Sequence, residues 1–155
     1  MNAVQLESHL DYLIPEYRIA LLRGPGKDVP PIYTPVDMEI FVKPMRHYAE
    51  EHFVVFHMSV GNHIIGYQIV SRGTLERSPV HPREVFKAAI LNNSHSIMVA
   101  HNHPSGSTQP APADIEVTQA LIEAGNLLFI PVIDHLIVTS HDLCSMRRTH
   151  GYLWS

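Results

Sequence analysis

A single cysteine, Cys144, leaves no partner for an internal disulfide, a usage that fits a reducing cytosol. No apolar run approaches the roughly eighteen residues that a membrane span needs. The opening segment Met1-Asn2-Ala3-Val4-Gln5 lacks both the basic stretch and the apolar stretch of a secretion signal. Dense Lys/Arg tracts are missing too: Arg147-Arg148 is the one adjacent basic pair, and the formal net charge is −4. Non-specific DNA binding rests on many phosphate contacts, so this composition gives it little support. Together these absences point to a soluble, cytoplasmic protein with no membrane partner.

What is present is ordinary globular material, 45% hydrophobic and 17% charged, at a length that suits one compact domain. The 12 histidines are spread along the chain, which excludes a purification tag. The question is which few of them carry chemistry.

Residues 1–35 read as an N-terminal extension, with a short helix over 4–13 and a loop marked by Gly24-Pro25-Gly26 and Pro30-Pro31. Residues 36–155 read as the domain. Met38, Ile40, Phe41, Met45 and Tyr48 recur at helical spacing over 36–49, with Pro44 placed to kink or split that helix. From Phe53 the pattern changes to strands, over 53–58 and 64–70, with Gly61-Asn62 as the hairpin turn. Pro82 starts a helix to about Asn92, with Val85, Phe86, Ala89 and Ile90 as its inward stripe. The almost wholly apolar run 96–100 predicts a strand buried on both faces. A Gly/Pro loop, a helix over 112–124 stopped at Gly125-Asn126, and a core strand over 132–138 complete the reading. Strands alternating with helices predict an α/β fold with a mixed β-sheet flanked by helices.

The chemistry concentrates in Val99-Ala100-His101-Asn102-His103-Pro104-Ser105-Gly106 and the later Asp114. Side chains alternate along an extended segment, so His101 and His103 point the same way and can meet one metal ion at about 2.0–2.1 Å. The loop turns the chain back, and Asp114 arrives in the first turn of the next helix, where the helix dipole favours a carboxylate. Two histidines and one carboxylate leave an open position, the arrangement of a catalytic zinc site. Other layouts are excluded: there is no His-Glu-x-x-His helix, and one cysteine cannot supply a Cys-x-x-Cys pair.

His101-x-His103, then ten residues, then Asp114 resembles the JAMM metal motif of MPN-domain isopeptidases. The surrounding blocks resemble its bacterial RadC branch: Gly73-Thr74-Leu75, Val80-His81-Pro82-Arg83-Glu84-Val85-Phe86, His101 to Gly106, and Asp134-His135-Leu136-Ile137-Val138. The resemblance runs from about Glu51 to the C-terminus. It implies the cytidine-deaminase-like fold of MPN domains, a bound zinc, a peptide or protein substrate and the traditional DNA-repair label.

It also implies a glutamate that takes a proton from the attacking water and passes it to the leaving amine. Glu51, one residue ahead of Phe53, matches that position, with Glu50 as the alternative. Gln68 stands where relatives carry an acid. A serine usually lies three residues before the aspartate and helps stabilise the oxyanion; here that position is Ala111, which leaves Ser105 or Thr108 as the candidate donor. Ala111 also falls at the helix N-cap, where it supplies no side-chain acceptor.

His135 is a candidate for orienting a ligand from behind, or else a satisfied core histidine. Arg83 and Glu84 read as a helix start with an ion pair or a solvated face, His81 as a cap of that helix or a neighbour of the site, and Cys144 and Trp154 as packing residues. Three functions follow: a zinc-dependent hydrolase of a peptide or isopeptide bond, a zinc-containing module that binds such a chain without cutting it, and a DNA-repair-associated factor.

Overall fold

The structure, a computed structural model, describes residue 26 and residues 28–155; the helix expected over 4–13 lies outside that range. Among the described residues, five strands form one mixed sheet in the order β2-β1-β3-β4-β5. They are β1 (His52–Met58), β2 (Ile64–Arg72), β3 (Ser96–Asn102), β4 (Val132–Val138) and β5 (Leu143–Ser145). Only β3 and β4 run parallel. A parallel pair needs a crossover, and α3 (Pro112–Leu128) supplies it. The hairpin turn between β1 and β2 places Asn62 at φ 59°, a left-handed conformation that asparagine tolerates.

Two apolar layers enclose this sheet, the α/β arrangement that the MPN-domain resemblance implies. On one face, Phe53, Val55, Ile97 and Val99 meet Val85, Phe86 and Ala89 of α2 (Pro82–Leu91) and Val117, Leu121 and Ile122 of α3. On the other face, Val54, Phe56, Met98, Ala100 and Leu136 meet Met38, Val42 and Met45. β3 is therefore buried at every position, which is why its sequence shows no polar alternation. The inward stripe of α2 is narrower than expected, since Ile90 is exposed.

The segment 36–49 is not one helix. A single α-turn, α1 (Glu39–Val42), sits between 3-10 stretches Pro35–Met38 and Lys43–His47. Pro44 lacks an N–H and its ring crowds the preceding turn, so the α ladder cannot run past it. Met38, Val42 and Met45 still point inward, while Ile40 faces solvent.

The helix expected to stop at Gly125 runs on to Leu128. A Cβ at Gly125 would stand 2.6 Å from the Ile130 carbonyl oxygen and 3.2 Å from the Phe86 ring. Glycine is there for close approach, and Phe129, at φ 57°, makes the left-handed cap instead.

After β4, and before a last 3-10 stretch at Gly151–Trp154, come β5 and α4 (Met146–Thr149). The buried Asp134 carboxylate holds them to the sheet, accepting from Ser145 Oγ at 2.5 Å and from the Arg147 N–H at 3.0 Å. Trp154 packs on the α2–α3 layer and donates from Nε1 to the Val132 carbonyl at 2.8 Å. Among the described residues no helix is long and apolar enough to cross a membrane.

Candidate metal centre

His101 is the penultimate residue of β3, and His103 follows two places later with its N–H on the Val138 carbonyl at 2.8 Å, extending the β3–β4 ladder. The chain then turns. Gly106 N–H returns to the His103 carbonyl at 3.0 Å, with Pro104 at the second position and Gly106 at φ 86°. α3 begins with Ala111 as N-cap, Pro112 in its first turn and Asp114 as its third residue. Ala111 has no side-chain acceptor, but Asp114 Oδ2 reaches back to the Ala111 N–H at 2.7 Å.

These elements bring three ligand atoms together in a buried space. His101 Nε2 and His103 Nε2 are 2.8 Å apart, and each lies 3.2 Å from an Asp114 carboxylate oxygen. His101, His103 and Asp114 are 1%, 8% and 2% exposed. Tetrahedral ligands at about 2.0–2.1 Å from zinc stand roughly 3.3 Å from one another, so the spacing is close to what one ion requires.

The proton inventory supports the same fit. His103 Nδ1 faces the Ser107 carbonyl at 2.7 Å, and a carbonyl only accepts; that nitrogen carries the proton and Nε2 offers its lone pair inward. His101 Nδ1 lies 2.7 Å from His135 Nε2, again leaving His101 Nε2 toward Asp114. Two nitrogen lone pairs and a carboxylate facing one another out of water need a cation, or a trapped proton, between them.

The electrostatics follow. Burial works to raise the Asp114 carboxyl, but with a proton trapped among the ligands the hydrogen bonds of His101 and His103 and the positive charge on the His101 side hold it well below the usual carboxylate range. The hydrogen bond to Asp114 raises His103 against the opposing effect of burial, with help from the Ser107 carbonyl and the charges of Asp114 and Glu51. Complete burial pushes His135 well below the ordinary imidazole value.

Glu51 precedes β1 by one residue, and its carbonyl accepts from the Gly73 N–H at 2.8 Å. Phe53 pairs with His101, so counting back along the antiparallel register brings Glu51 alongside His103. Glu50 is exposed. Gln68 pairs with Val55, which itself pairs with Val99, a full side-chain repeat below His101 and two strands away. Its Oε1 is buried without a partner.

Ser105 is exposed on the turn, where its hydroxyl accepts from the Ser107 N–H at 3.4 Å. Thr108 is half-buried and lines a groove with Leu143, Cys144 and Arg148. His81 is the exposed N-cap of α2 and makes no side-chain cap bond; Glu84 pairs with Lys87 at 3.0 Å on the solvated face.

Sequence reasoning passed over two residues. Asn102 lies between the two histidines and points to the opposite face, 2% exposed. Its Oδ1 accepts from the His52 N–H at 2.7 Å and its Nδ2 donates to the Glu50 carbonyl at 2.9 Å. Asn102 thereby clamps the backbone on both sides of Glu51. Thr118, one turn into α3 beyond Asp114, is the other: its hydroxyl lies 2.6 Å from His135 Nδ1. A polar amide at the end of a strand buried on both faces was the available signal for Asn102; Thr118 gave none.

A family model described as the RadC-like JAB domain matches residues 33–152. A UPF0758 protein of Finegoldia magna is 47% identical over 110 residues, covering 71% of this chain and 49% of its own. Another from Caldanaerobacter subterraneus subsp. tengcongensis is 47% identical over 122 residues, 78% of this chain and 52% of its own. A third, from Desulforudis audaxviator, is 40% identical over 124 residues, 79% of this chain and 54% of its own. The chain therefore spans about half the length of these curated relatives.

Proposed function

The chain belongs to the RadC-like JAB domain family, and on that footing we propose that it is a zinc-dependent hydrolase that cleaves a peptide or isopeptide bond. The observation that carries this reading is the buried convergence of His101 Nε2, His103 Nε2 and the Asp114 carboxylate beside Glu51. His101, His103 and Asp114 would hold the ion, and three protein ligands leave one tetrahedral position open. Zinc there supplies a Lewis acid for the substrate carbonyl and lowers the pKa of water toward neutrality.

The remaining work falls to the chain's own groups. The Glu51 carboxylate takes a proton from the attacking water and delivers it to the leaving amine nitrogen. Asn102, bonded to the Glu50 carbonyl and the His52 N–H, keeps the Glu51 backbone in register with His103. Among the described residues β2 and β5 are the edge strands of the sheet, where an extended substrate would pair.

Ala111 favours a second reading, a module that binds a peptide without efficient cleavage. It offers no hydroxyl at the start of α3. An oxyanion donor contributes about 2.7–4 kcal/mol to the transition state, or roughly 10²–10³ in rate. Ala111→Ser is therefore expected to raise kcat by a factor approaching that range, with KM little changed. It should also stabilise α3 by about 1 kcal/mol through a new N-cap. A variant that melts higher but cleaves no faster would separate the cap from the chemistry and remove position 111 from the mechanism.

Elemental analysis followed by an assay on peptide and isopeptide substrates tests the proposal. About one zinc per chain with product formation supports the hydrolase. Zinc with binding seen by calorimetry but no product supports the module. Protein that takes up no zinc on reconstitution overturns both.

A further inference from the structure

We propose that Thr118 and His135 are positioning residues that select which ring nitrogen of His101 faces the metal. The inference rests on the metal-binding reading of the centre, but its mechanism lies in protons this chain carries itself. It starts from helix geometry. Thr118 stands four residues after Asp114, so its hydroxyl reaches the Asp114 carbonyl, at 2.5 Å.

That carbonyl accepts only, so the single hydroxyl proton of Thr118 is committed to it. The same oxygen lies 2.6 Å from His135 Nδ1 and has only lone pairs left to offer; His135 Nδ1 must be the donor. The His135 ring is wholly buried and meets only Thr118 and His101, with no carboxylate on either nitrogen to support a second proton, so its other nitrogen, Nε2, is an acceptor. The His101 Nδ1, at 2.7 Å from that acceptor, must then carry hydrogen, and His101 Nε2 is left bare toward His103 and Asp114.

Every link is out of water: Thr118 and His135 are 0% exposed and His101 is 1% exposed. No solvent can swap a donor for an acceptor along the way. The path is also a closed circuit. Asp114 gives its carboxylate to the centre and its carbonyl to the far end of the relay, so one residue sets both the third ligand and the tautomer of the first. Phe53 walls the relay, edge-on to His135 with ring centroids 5.4 Å apart.

The consequence is a defined effect for a small change. Thr118→Val keeps the shape and removes the oxygen. His135 Nδ1 then has no acceptor, which favours the other tautomer, with hydrogen on Nε2. Its partner His101 must turn its lone pair outward to Nδ1, placing a proton on the nitrogen that should bind metal. Thr118→Ser keeps the oxygen and should keep the wild-type state.

Long-range ¹H–¹⁵N correlation spectra of metal-free, ¹⁵N-labelled protein report these tautomers directly. The expected result is hydrogen on Nδ1 of both His101 and His135 in the wild type and in Thr118→Ser, and on Nε2 of both in Thr118→Val. Zinc affinity, measured against a chromogenic chelator, should fall about 10–100-fold in Thr118→Val and be retained in Thr118→Ser.

A wild-type spectrum with hydrogen on His101 Nε2 overturns the inference, even where the valine variant fails to fold. So does a folded Thr118→Val protein that keeps the wild-type tautomers or the wild-type affinity. Wild-type protein with the expected tautomers but no zinc uptake would leave the relay standing and overturn the metal reading instead.

Discussion

Glu51→Gln is expected to leave the protein folded and loaded with zinc while hydrolysis falls by about 10²–10⁴-fold, the usual contribution of a positioned general base. Glutamine keeps the size of the side chain and its hydrogen-bonding reach, but an amide cannot take a proton from water at neutral pH. The fold should hold because the contacts seen at this position are main-chain ones. The Glu51 carbonyl bonds the Gly73 N–H, and Asn102 clamps the neighbouring peptide groups. Metal content should hold because the ligand atoms are those of His101, His103 and Asp114. Glu50→Gln is the matched control, an exposed neighbour whose loss should change nothing. Equal turnover in the wild type and in Glu51→Gln would take Glu51 out of the mechanism; loss in the Glu50 variant alone would transfer the role.

The second large effect is on metal and stability together. His101→Ala/His103→Ala should bring zinc content to background, since the remaining carboxylate is one ligand where the site needs three. In the wild type, zinc at a thousandfold excess over Kd stabilises the folded state by about 4 kcal/mol. For a domain of this size that is a rise in Tm of roughly 10 °C. The double variant should show no such rise. A zinc-dependent rise that survives the double substitution would mean that the metal binds elsewhere.

pH separates the contributions further. The folded-state pKa of His103 is raised above 6.5, so its contribution to metal-free stability is full below 6.5 and disappears as pH climbs through the raised value. For Asp114 the folded value lies below 3.8, so its contribution is present above 3.8 and is lost as pH falls toward the folded value. Zinc needs the His103 Nε2 without its proton, so metal and proton compete for one atom. The zinc-induced rise in Tm should therefore shrink as pH is lowered from about 8 to about 5.5. A rise that is flat across that range would exclude His103 as a ligand.

Much of the architecture was legible because its signals are local. The apolar run of β3, the Pro at the start of α2 and the turn residues of the first hairpin each reflect neighbours in sequence, and the mixed α/β sheet follows from them. The centre was legible in part for the same reason. Strand alternation places His101 and His103 on one side, and a helix start two turns of loop later brings Asp114 to them.

What escaped depends on distant partners. Asn102 acts on the chain around Glu51, some fifty residues earlier, and Thr118 on His135, seventeen residues later. A lone threonine on a helix carries no periodic mark. β5 spans three residues, too few to show alternation, and Gly125 reads as a stop until Phe86 and the Ile130 carbonyl are seen against it. Pro44 announced a broken helix, but not that the break would leave a single α-turn.

The turn between His103 and Asp114 touches the ligands through main-chain atoms: the Ser107 carbonyl holds His103, and the Ala111 N–H holds Asp114. Any amino acid supplies the first of these groups, and any but proline the second. The posts of the centre are thus fixed by β3 and α3, while the exposed side chains strung between them, those of Pro104, Ser105, Ser107 and Gln109, are free of structural duty toward it. Such a division makes that turn interchangeable. Its exposed side chains can be exchanged while the three ligands beneath them stay in place, so on the proposed hydrolase reading new specificity can be grafted there without rebuilding the centre.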